Sequence, residues 1–208
     1  MELKQAIEKR TSIRKFTDEP VPIDDLKEMV RCAGMAPSVN NSQPWKFIVI
    51  TNQNILQAMV RAVQIKIDTL FPNTAGKEAA LKTTLNSYST IFVNAPAVIA
   101  IAASPYEAVA DKLLASSFLT HDDLNDLRSY PDIQSIGASV QNILLAAVDM
   151  GYGACWLSGL LVAREELEKL LKIEDSWKLV TFVAVGKPTG QPKPKDKKSL
   201  DEIFSLVE

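Results

Sequence analysis

The chain has 208 residues, with 23 Lys and Arg against 25 Asp and Glu, which gives a formal net charge of −2. A charge this balanced provides no overall field for a polyanion, so we do not expect a nucleic acid as a partner. No apolar run approaches the roughly 18 residues that a membrane span needs, so we do not expect a membrane protein. With 47% apolar residues, the composition favours one globular domain over 1–208.

The N-terminal residues begin an amphipathic helix and lack the uninterrupted apolar stretch of a secretory signal. The two cysteines, Cys32 and Cys155, lie far apart and neither belongs to a C-x-x-C pair. Both are interpreted as small hydrophobic residues of the interior. These features predict a cytoplasmic protein.

Apolar residues at helical spacing predict helices over 2–9 and 23–35, and the prolines at 20 and 22 predict extended chain between them. Continuous runs of β-branched, aromatic and other apolar residues predict buried strands, some of them bounded by Pro or Gly. These strands are Trp45–Ile50, Ala97–Ala103 and Leu179–Val185. Further helices are predicted at about 53–67, 76–90, 107–115, 134–150 and 163–171.

The stretch from Ile136 to Met150 is apolar or small on nearly every face, which predicts a central helix buried all round and indicates a second subunit that covers part of it. Prolines at 188, 192 and 194 exclude helix and predict an extended arm. Residues 199–207 regain an amphipathic pattern and need a surface to dock against.

Two classes of chemistry are disfavoured. His121 is the only histidine, so a Ser-His-Asp triad or a multi-histidine metal site is nearly excluded, and no metal is expected. His121 lies in an acidic stretch and is interpreted as a surface residue. The glycine-rich nucleotide loops G-x-G-x-x-G and G-x-x-x-x-G-K-[ST] do not occur, so a phosphate would have to be held mainly by side chains.

Two clusters of basic residues are candidates for binding an anion. Arg10, Ser12 and Arg14 alternate along the extended segment, so they point to one side and could form an anion site, although surface decoration explains them equally well. Lys195 and Lys197, with Lys198, follow the proline-rich stretch. A lysine run near a C-terminus is usually a solvated tail, and its meaning depends on what the arm reaches.

Two further segments carry groups that could recognise a flat ligand. The loop after the second helix contains Ser38, Asn40, Asn41 and Gln43, which offer hydrogen-bond donors and acceptors for the amide edge of a heterocycle, or serve only as turn residues. The segment from Gly151 to Gly159 ends in a glycine whose missing Cβ would let a ligand approach the backbone, or is simply a strand with a glycine end.

In order and spacing, these segments resemble the nitroreductase family over essentially the whole chain. The matching features are Arg-x-Ser-x-Arg at 10–14, Ala-Pro-Ser followed by Asn-Ser-Gln-Pro-Trp at 36–45, the small-residue helix at 135–147, Gly-x-Gly-Ala-Cys-Trp-Leu-x-Gly at 151–159, and Val-Gly-Lys-Pro at 185–188 with a basic tail.

The resemblance implies an α+β fold with a central, mainly antiparallel sheet flanked by helices, and a homodimer whose C-terminal arm, residues 190–208, wraps the partner subunit. It also implies bound FMN. Arg10, Thr11, Ser12, Lys195 and Lys197 would lie near the phosphate, although the family often has an arginine where these lysines stand.

Arg14 would lie nearer the pyrimidine side of the flavin by the same resemblance. The remaining ring contacts would come from Leu157, Ser158 and Gly159, with a backbone N–H, assigned to Ser158, meeting N5. Asn86 would add a contact from the helix before the second strand. The opposite subunit would contribute Pro37, Ser38, Val39 and Asn40, with Asn41 and Gln43 shaping the loop.

The implied activity is transfer of hydride from NADH or NADPH through FMN to a nitroaromatic, a quinone or a similar small acceptor. Arg14 would stabilise the negative charge that grows on the reduced flavin. Such a reaction needs no protein nucleophile and follows ping-pong kinetics. Flavin fragmentation, dehalogenation and dehydrogenation on the same scaffold are alternatives, as is a flavin-binding regulatory protein without turnover. A polar lid at 104–133, with Phe118, His121, Arg128 and Tyr130, would decide the substrate.

Overall fold

The computed structural model describes residues 1–190 and 195–208, so Pro192 and Pro194 of the predicted arm lie outside the described residues. An antiparallel sheet with the strand order β1-β2-β4-β3 lies at the centre. Its strands are β1 (Trp45–Ile50), β2 (Ala97–Ala103), β3 (Gly153–Leu157) and β4 (Lys178–Gly186). The α+β class and the antiparallel sheet are therefore confirmed, and β1 and β2 have the predicted bounds.

Helices cover both faces of the sheet. The α-helices of the described residues are α1 (Leu3–Lys9), α2 (Ile23–Gly34), α3 (Gln53–Leu70), α4 (Lys77–Thr90), α5 (His121–Leu127), α6 (Pro131–Asp149), α7 (Arg164–Leu170) and α8 (Leu200–Ile203). Helices α3 and α7 pack on one face of the sheet, and α2 and α6 pack on the other. None of these helices has the length and apolar character needed to cross a membrane.

Strand β2 is buried along its whole length because both faces are covered. Successive side chains of a strand point to opposite faces, so Val98 and Ala100 enter the core under α3 while Ile99 and Ile101 enter the core under α2 and α6. Because both faces are buried, the sequence of β2 is a continuous apolar run although the sheet is antiparallel.

One predicted helix has a different form in the structure, and one observed helix was not predicted. The one at 107–115 is a 3-10 helix, Val109–Ser116. Helix α5 was not predicted, although its start carries a capping box in which the Thr120 hydroxyl accepts the Asp123 N–H (3.2 Å) and the Asp123 carboxylate accepts the Thr120 N–H (2.8 Å).

In the single chain, helix α6 is buried along one face. The sequence had predicted burial all round, with a second subunit covering part of the helix. Ile136, Val140 and Ile143 are fully buried, whereas Ala138 and Leu145 are only half-buried. The half-buried face carries apolar and small residues, so a single chain leaves part of this helix incompletely covered.

The extended segment after α1 is bound to the end of the sheet. Ser12 forms a parallel bridge with Ala154, and Phe16 forms an antiparallel bridge with Pro188. The Ile13 N–H donates to the Ala154 carbonyl oxygen at 3.0 Å. These contacts fix the segment that carries the predicted basic site against the start of β3.

Gly153 makes this docking possible. A Cβ at Gly153 would lie 2.7–2.8 Å from three side-chain atoms of Ile13, closer than real Cβ atoms approach other atoms. The side chain of Ile13 therefore occupies the space that any other residue at 153 would need.

We expect Gly153→Ala to lower the free energy of unfolding by about 1–3 kcal/mol, because the added methyl group overlaps Ile13. Chemical denaturation measures the change. Gly34→Ala is the matched control, since a Cβ there meets nothing within 4 Å and alanine is favoured over glycine in a helix. A Gly153→Ala protein as stable as the wild type would contradict the docking of Ile13.

Candidate functional site

The two ends of the chain meet at a cavity of about 590 Å³. Lys9 and Arg10 line it from the end of α1, and Lys195 and Lys197 line it from the C-terminal segment. Glu8 is the acidic residue of the lining, so positive charge prevails. Guanidinium and ammonium groups that converge in this way suit a phosphate or another multivalent anion. The structure thus brings together Arg10, Lys195 and Lys197, and Thr11 lies in the same wall.

Ser12 and Arg14 lie close to this cavity, as the thiol of Cys155 shows. Cys155 is 1% exposed, and burial raises the pKa of its thiol. The residues that act in the opposite direction on this pKa are Arg14, Ser12, Lys195 and Arg10. Four of the predicted phosphate or ring contacts therefore lie near enough to this buried strand residue to lower the pKa of its thiol.

Arg14 borders a second, larger cavity of about 930 Å³. Phe16, Pro20 and Pro96 form part of its apolar wall. Arg14 thus lines the larger cavity, whereas Arg10 lines the smaller one, which carries the lysines.

Tyr152 supports the wall of the smaller cavity. Its hydroxyl donates to the Asp25 carboxylate at 2.5 Å, and Lys187 Nζ lies 4.3 Å from the centre of its ring. The hydrogen bond to Asp25, together with burial, raises the pKa of Tyr152 to about 12. These contacts tie α2 to the turn that precedes β3.

The predicted ring-binding loop is held at both ends by serine hydroxyls. Ser38 Oγ accepts the Gln43 N–H at 2.9 Å, and Ser135 Oγ of α6 accepts the Val39 N–H at 3.0 Å. Ser135 also donates to the Pro131 carbonyl oxygen at 2.6 Å. Sequence reasoning missed Ser135, because nothing in its local pattern points to a loop 96 residues away.

The same loop stores backbone strain. Asn40, Asn41 and Gln43 have φ values of 51°, 53° and 48°, in the left-handed region. Asparagine tolerates this region, but glutamine rarely adopts it. Pro37, Asn40 and Gln43 are exposed, so they are free to contact a ligand or a second chain. Such strain is typical of a functional site.

Leu157 is the last residue of β3, and Ser158 and Gly159 form the turn that follows it. The Leu157 carbonyl oxygen accepts the Thr181 hydroxyl at 2.9 Å, which fixes the end of the strand. A Cβ at Gly159 would lie 3.0 Å from Ser89 Oγ of α4. The close approach of α4 accounts for a glycine at this position, and contact of Gly159 with a flavin ring stays a prediction.

Asn86 does not join the basic cavity. It borders a separate cavity of about 350 Å³ between α3 and α4, with Gln64 and Asp68. Its Oδ1 atom is buried and has no hydrogen-bond partner among the described residues. Ser89, one turn later, is the α4 residue that contacts the Ser158–Gly159 turn.

The sequence had indicated that His121 is a surface residue, but its side chain is partly buried and has defined partners. Its Nδ1 lies 2.9 Å from Asp111 Oδ2, and its ring meets that of Tyr106 edge-on at 5.3 Å between centroids. The His121 side chain is 31% exposed and that of Asp111 13%. The sole histidine is thus held in a defined orientation within the lid segment.

Comparisons with known proteins agree on one family. The model of the nitroreductase family matches residues 7–187. A protein of Archaeoglobus fulgidus, provisionally named NADH dehydrogenase/NAD(P)H nitroreductase, is 27% identical over 94% of this chain and 89% of its own length.

Solved structures show the same fold. A BluB-like flavoprotein from Clostridium difficile 630 superposes with a TM-score of 0.90 at 27% identity, and the match covers 100% of both chains. An iodotyrosine deiodinase bound to FMN and 3-iodo-L-tyrosine superposes with a TM-score of 0.70 at 23% identity, over 100% of this chain and 98% of its own.

The bond between Tyr152 and Asp25 predicts a loss of stability at high pH. The pKa of Tyr152 is raised from its ordinary value of 10 to about 12, so the bond stabilises the folded protein below pH 10, and this contribution is lost as the pH rises through about 12. We expect the difference in Tm between wild type and Tyr152→Phe to be largest below pH 10 and to shrink towards pH 12.

Tyr88→Phe is the control for this titration, since Tyr88 is 64% exposed. The difference in Tm between wild type and Tyr88→Phe should stay near zero across the same pH range. A difference between wild type and Tyr152→Phe that stays constant from pH 8 to 12 would show that Asp25 and Tyr152 are not coupled.

Proposed function

The chain belongs to the nitroreductase family, and from this premise we propose that it is an FMN-dependent oxidoreductase that uses NADH or NADPH to reduce a small organic acceptor such as a nitroaromatic or a quinone. The observation that carries the proposal is the meeting of Arg10, Lys195 and Lys197 at one cavity. Its relatives include a solved flavoprotein and a protein named for NAD(P)H-dependent reduction.

The cavity fits the phosphate end of FMN. Its lining carries an excess of positive charge, and the hydroxyl groups of Thr11 and Ser12 lie on the segment that forms its wall. A dianionic phosphate is recognised by such a set of cations and hydroxyl donors without a glycine-rich loop. We assign Arg10, Thr11, Ser12, Lys195 and Lys197 to the phosphate.

We assign Arg14 and the end of β3, Leu157, Ser158 and Gly159, to the flavin ring. The positions fit because the charge of Arg14 lowers the pKa of the Cys155 thiol, and Cys155 precedes Leu157 by two residues on the same strand. The backbone N–H of Ser158 is assigned to the N5 edge. Pro37, Ser38, Val39, Asn40 and Gln43 are assigned to the ring of the partner subunit, because Pro37, Asn40 and Gln43 are exposed in the single chain.

FMN, when bound, supplies the capacity to accept a hydride and pass it on. The protein would contribute fixed charge: the guanidinium of Arg14 would stabilise negative charge that develops on the pyrimidine side of the ring. No side chain needs to act as a nucleophile, so the two substrates can use the same place in turn with ping-pong kinetics.

We also propose a homodimer in which residues 190–208 wrap the partner. The C-terminal segment exposes Leu200, Ile203, Phe204 and Leu206, each at 61–68%. Strand β1 is at an edge of the sheet, and α6 has a half-buried apolar face. A second copy would cover these apolar surfaces, which a stable monomer rarely exposes together.

The proposed activity is tested with purified yellow protein mixed anaerobically with NADH or NADPH. Flavin absorbance near 450 nm should fall with at least one donor and return on addition of a quinone or a nitroaromatic. Unchanged absorbance with both donors would reject the proposed reductase activity but would not contradict the FMN site.

Arg10→Ala should weaken FMN binding about 10- to 150-fold, which corresponds to loss of a charge-assisted contact worth about 1.5–3 kcal/mol. Titration of the apoprotein with FMN, followed by quenching of flavin fluorescence, gives the Kd. Lys15→Ala removes a neighbouring, exposed charge from the same segment and should change the Kd little. Equal affinity of the Arg10 variant and the wild type would reject the phosphate site.

Deletion of residues 199–208 should convert the dimer into a monomer, because it removes the exposed apolar residues of the arm. Light scattering coupled to gel filtration measures the mass. The matched control, Glu208→Gln, alters only the terminal residue and should remain dimeric. A truncated chain that stays dimeric would contradict the wrapping arm without affecting the assignment of Arg10.

Reductive dehalogenation on the same scaffold is a second candidate, favoured by the likeness to a deiodinase. It is distinguished by the acceptor: reduced protein would be reoxidised by an iodinated phenol with release of iodide.

A further inference from the structure

His121 has the geometry of a proton-transfer residue. Its Nδ1 is bound to Asp111 Oδ2 at 2.9 Å, and the same carboxylate oxygen accepts the Ala108 N–H at 2.6 Å. Hydrogen bonds and positive charge, first of all the Ala108 N–H, lower the pKa of Asp111, so the carboxylate is ionised at neutral pH. A carboxylate that holds Nδ1 fixes the imidazole ring and leaves Nε2 to exchange protons.

The surrounding lid residues make this arrangement rigid. The Tyr106 hydroxyl donates to Asn125 Oδ1 at 2.9 Å, and Asn125 Nδ2 donates to the Asp132 carboxylate at 3.0 Å. Arg128 donates to the Tyr106 oxygen at 3.3 Å. Tyr106 and Asn125 are each 7% exposed, so the ring that His121 packs against is fixed by a buried network.

His121 also lines a cavity of about 480 Å³ between the lid and the sheet. Leu161 and Val180 line the same cavity. Leu161 belongs to the 3-10 helix that begins at Gly159, and Val180 precedes Thr181, whose hydroxyl donates to the Leu157 carbonyl oxygen. The cavity therefore lies beside the end of β3 that we assign to the flavin ring.

We propose that this cavity receives the organic acceptor and that His121 Nε2 donates a proton to it, an inference that rests on the proposed function. Reduction of a quinone to a hydroquinone takes up one hydride and one proton. FMN, when bound and reduced, would supply the hydride, and the proton would come from the Nε2–H bond of the protonated His121 ring, whose electron pair stays on nitrogen. An O–H bond forms on the acceptor, and water then reprotonates the neutral imidazole.

The charges around the cavity suit a small polar acceptor. Arg164 and Lys178 line it from α7 and β4, and Asp122 and Asp132 line it from the lid. Oxygen atoms of a quinone or a nitro group can accept hydrogen bonds from Arg164 and Lys178 while one of these oxygen atoms faces His121. The acids balance these cations, so the cavity selects for oxygen acceptors without requiring a net negative charge.

The first experiment separates proton transfer from electron transfer in His121→Gln. Reduced protein is mixed anaerobically with menadione, which needs a proton, or with ferricyanide, which takes electrons without one. We expect reoxidation by menadione to slow about 100-fold. Reduction by NADH or NADPH and reoxidation by ferricyanide should keep the wild-type rates.

Two further variants sharpen this comparison. Asp111→Asn, which leaves the histidine but removes its carboxylate, should slow menadione in the same selective way. Lys112→Gln, an exposed neighbour, should change neither rate. If His121→Gln slows both acceptors alike, or neither, His121 is a structural lid residue and the proposal is wrong.

The second experiment needs no turnover. Because His121 is the only histidine, protein labelled with ¹⁵N-histidine gives one set of imidazole signals. Nitrobenzene, added to the oxidised protein, should shift the Nε2 signal more than the Nδ1 signal, and Asp111→Asn should change the tautomer that the Nδ1 signal reports. If nitrobenzene leaves the imidazole signals unchanged, the proposed acceptor site is wrong. If nitrobenzene shifts the signals but neither NADH nor NADPH reduces the flavin, only the proposed reductase activity is rejected.

Discussion

The contact on which the site depends is the seating of the segment 12–17 on two glycines at one end of the sheet. Gly153 and Gly186 are partners across β3 and β4. Ile13 fills the space of a Cβ at Gly153, and Phe16 lies 3.0 Å from where a Cβ at Gly186 would be. A side chain at Gly153 would lift the segment, and with it the charges that meet the C-terminal lysines, whereas one at Gly186 would first meet Pro96 at 2.6–2.7 Å. Gly153, which itself lines the smaller cavity, thus helps to position the basic residues around it.

The sequence predicted what local composition determines. Strands β1 and β2 have the predicted bounds because each is a continuous run of apolar, strand-favouring residues that ends abruptly. The alternating basic residues at 10–14 were located because an extended chain places every second side chain on one side. Helix α5 was missed because its seven residues are too few for a helical period, although the capping box at Thr120 marks its start.

What the sequence could not give depends on contacts between distant residues. The close packing at Gly159 comes from Ser89, which lies on a helix 70 positions earlier. His121 was interpreted as a surface residue because its neighbours are acidic, but the carboxylate that orients it is Asp111, on a 3-10 helix at the other side of the lid. In both cases the residue type was visible, and the partner that gives it meaning was not.

The strained loop explains why cofactor binding and assembly should be coupled. Left-handed backbone at Gln43 costs about 1–3 kcal/mol, and hydrogen bonds to Ser38 and Ser135 hold the loop in place before any ligand arrives. Such preorganisation lowers the ordering cost of binding. If each loop serves the flavin of the partner, then FMN binds the dimer more tightly than the monomer. By thermodynamic linkage, FMN must strengthen the dimer by the same free energy.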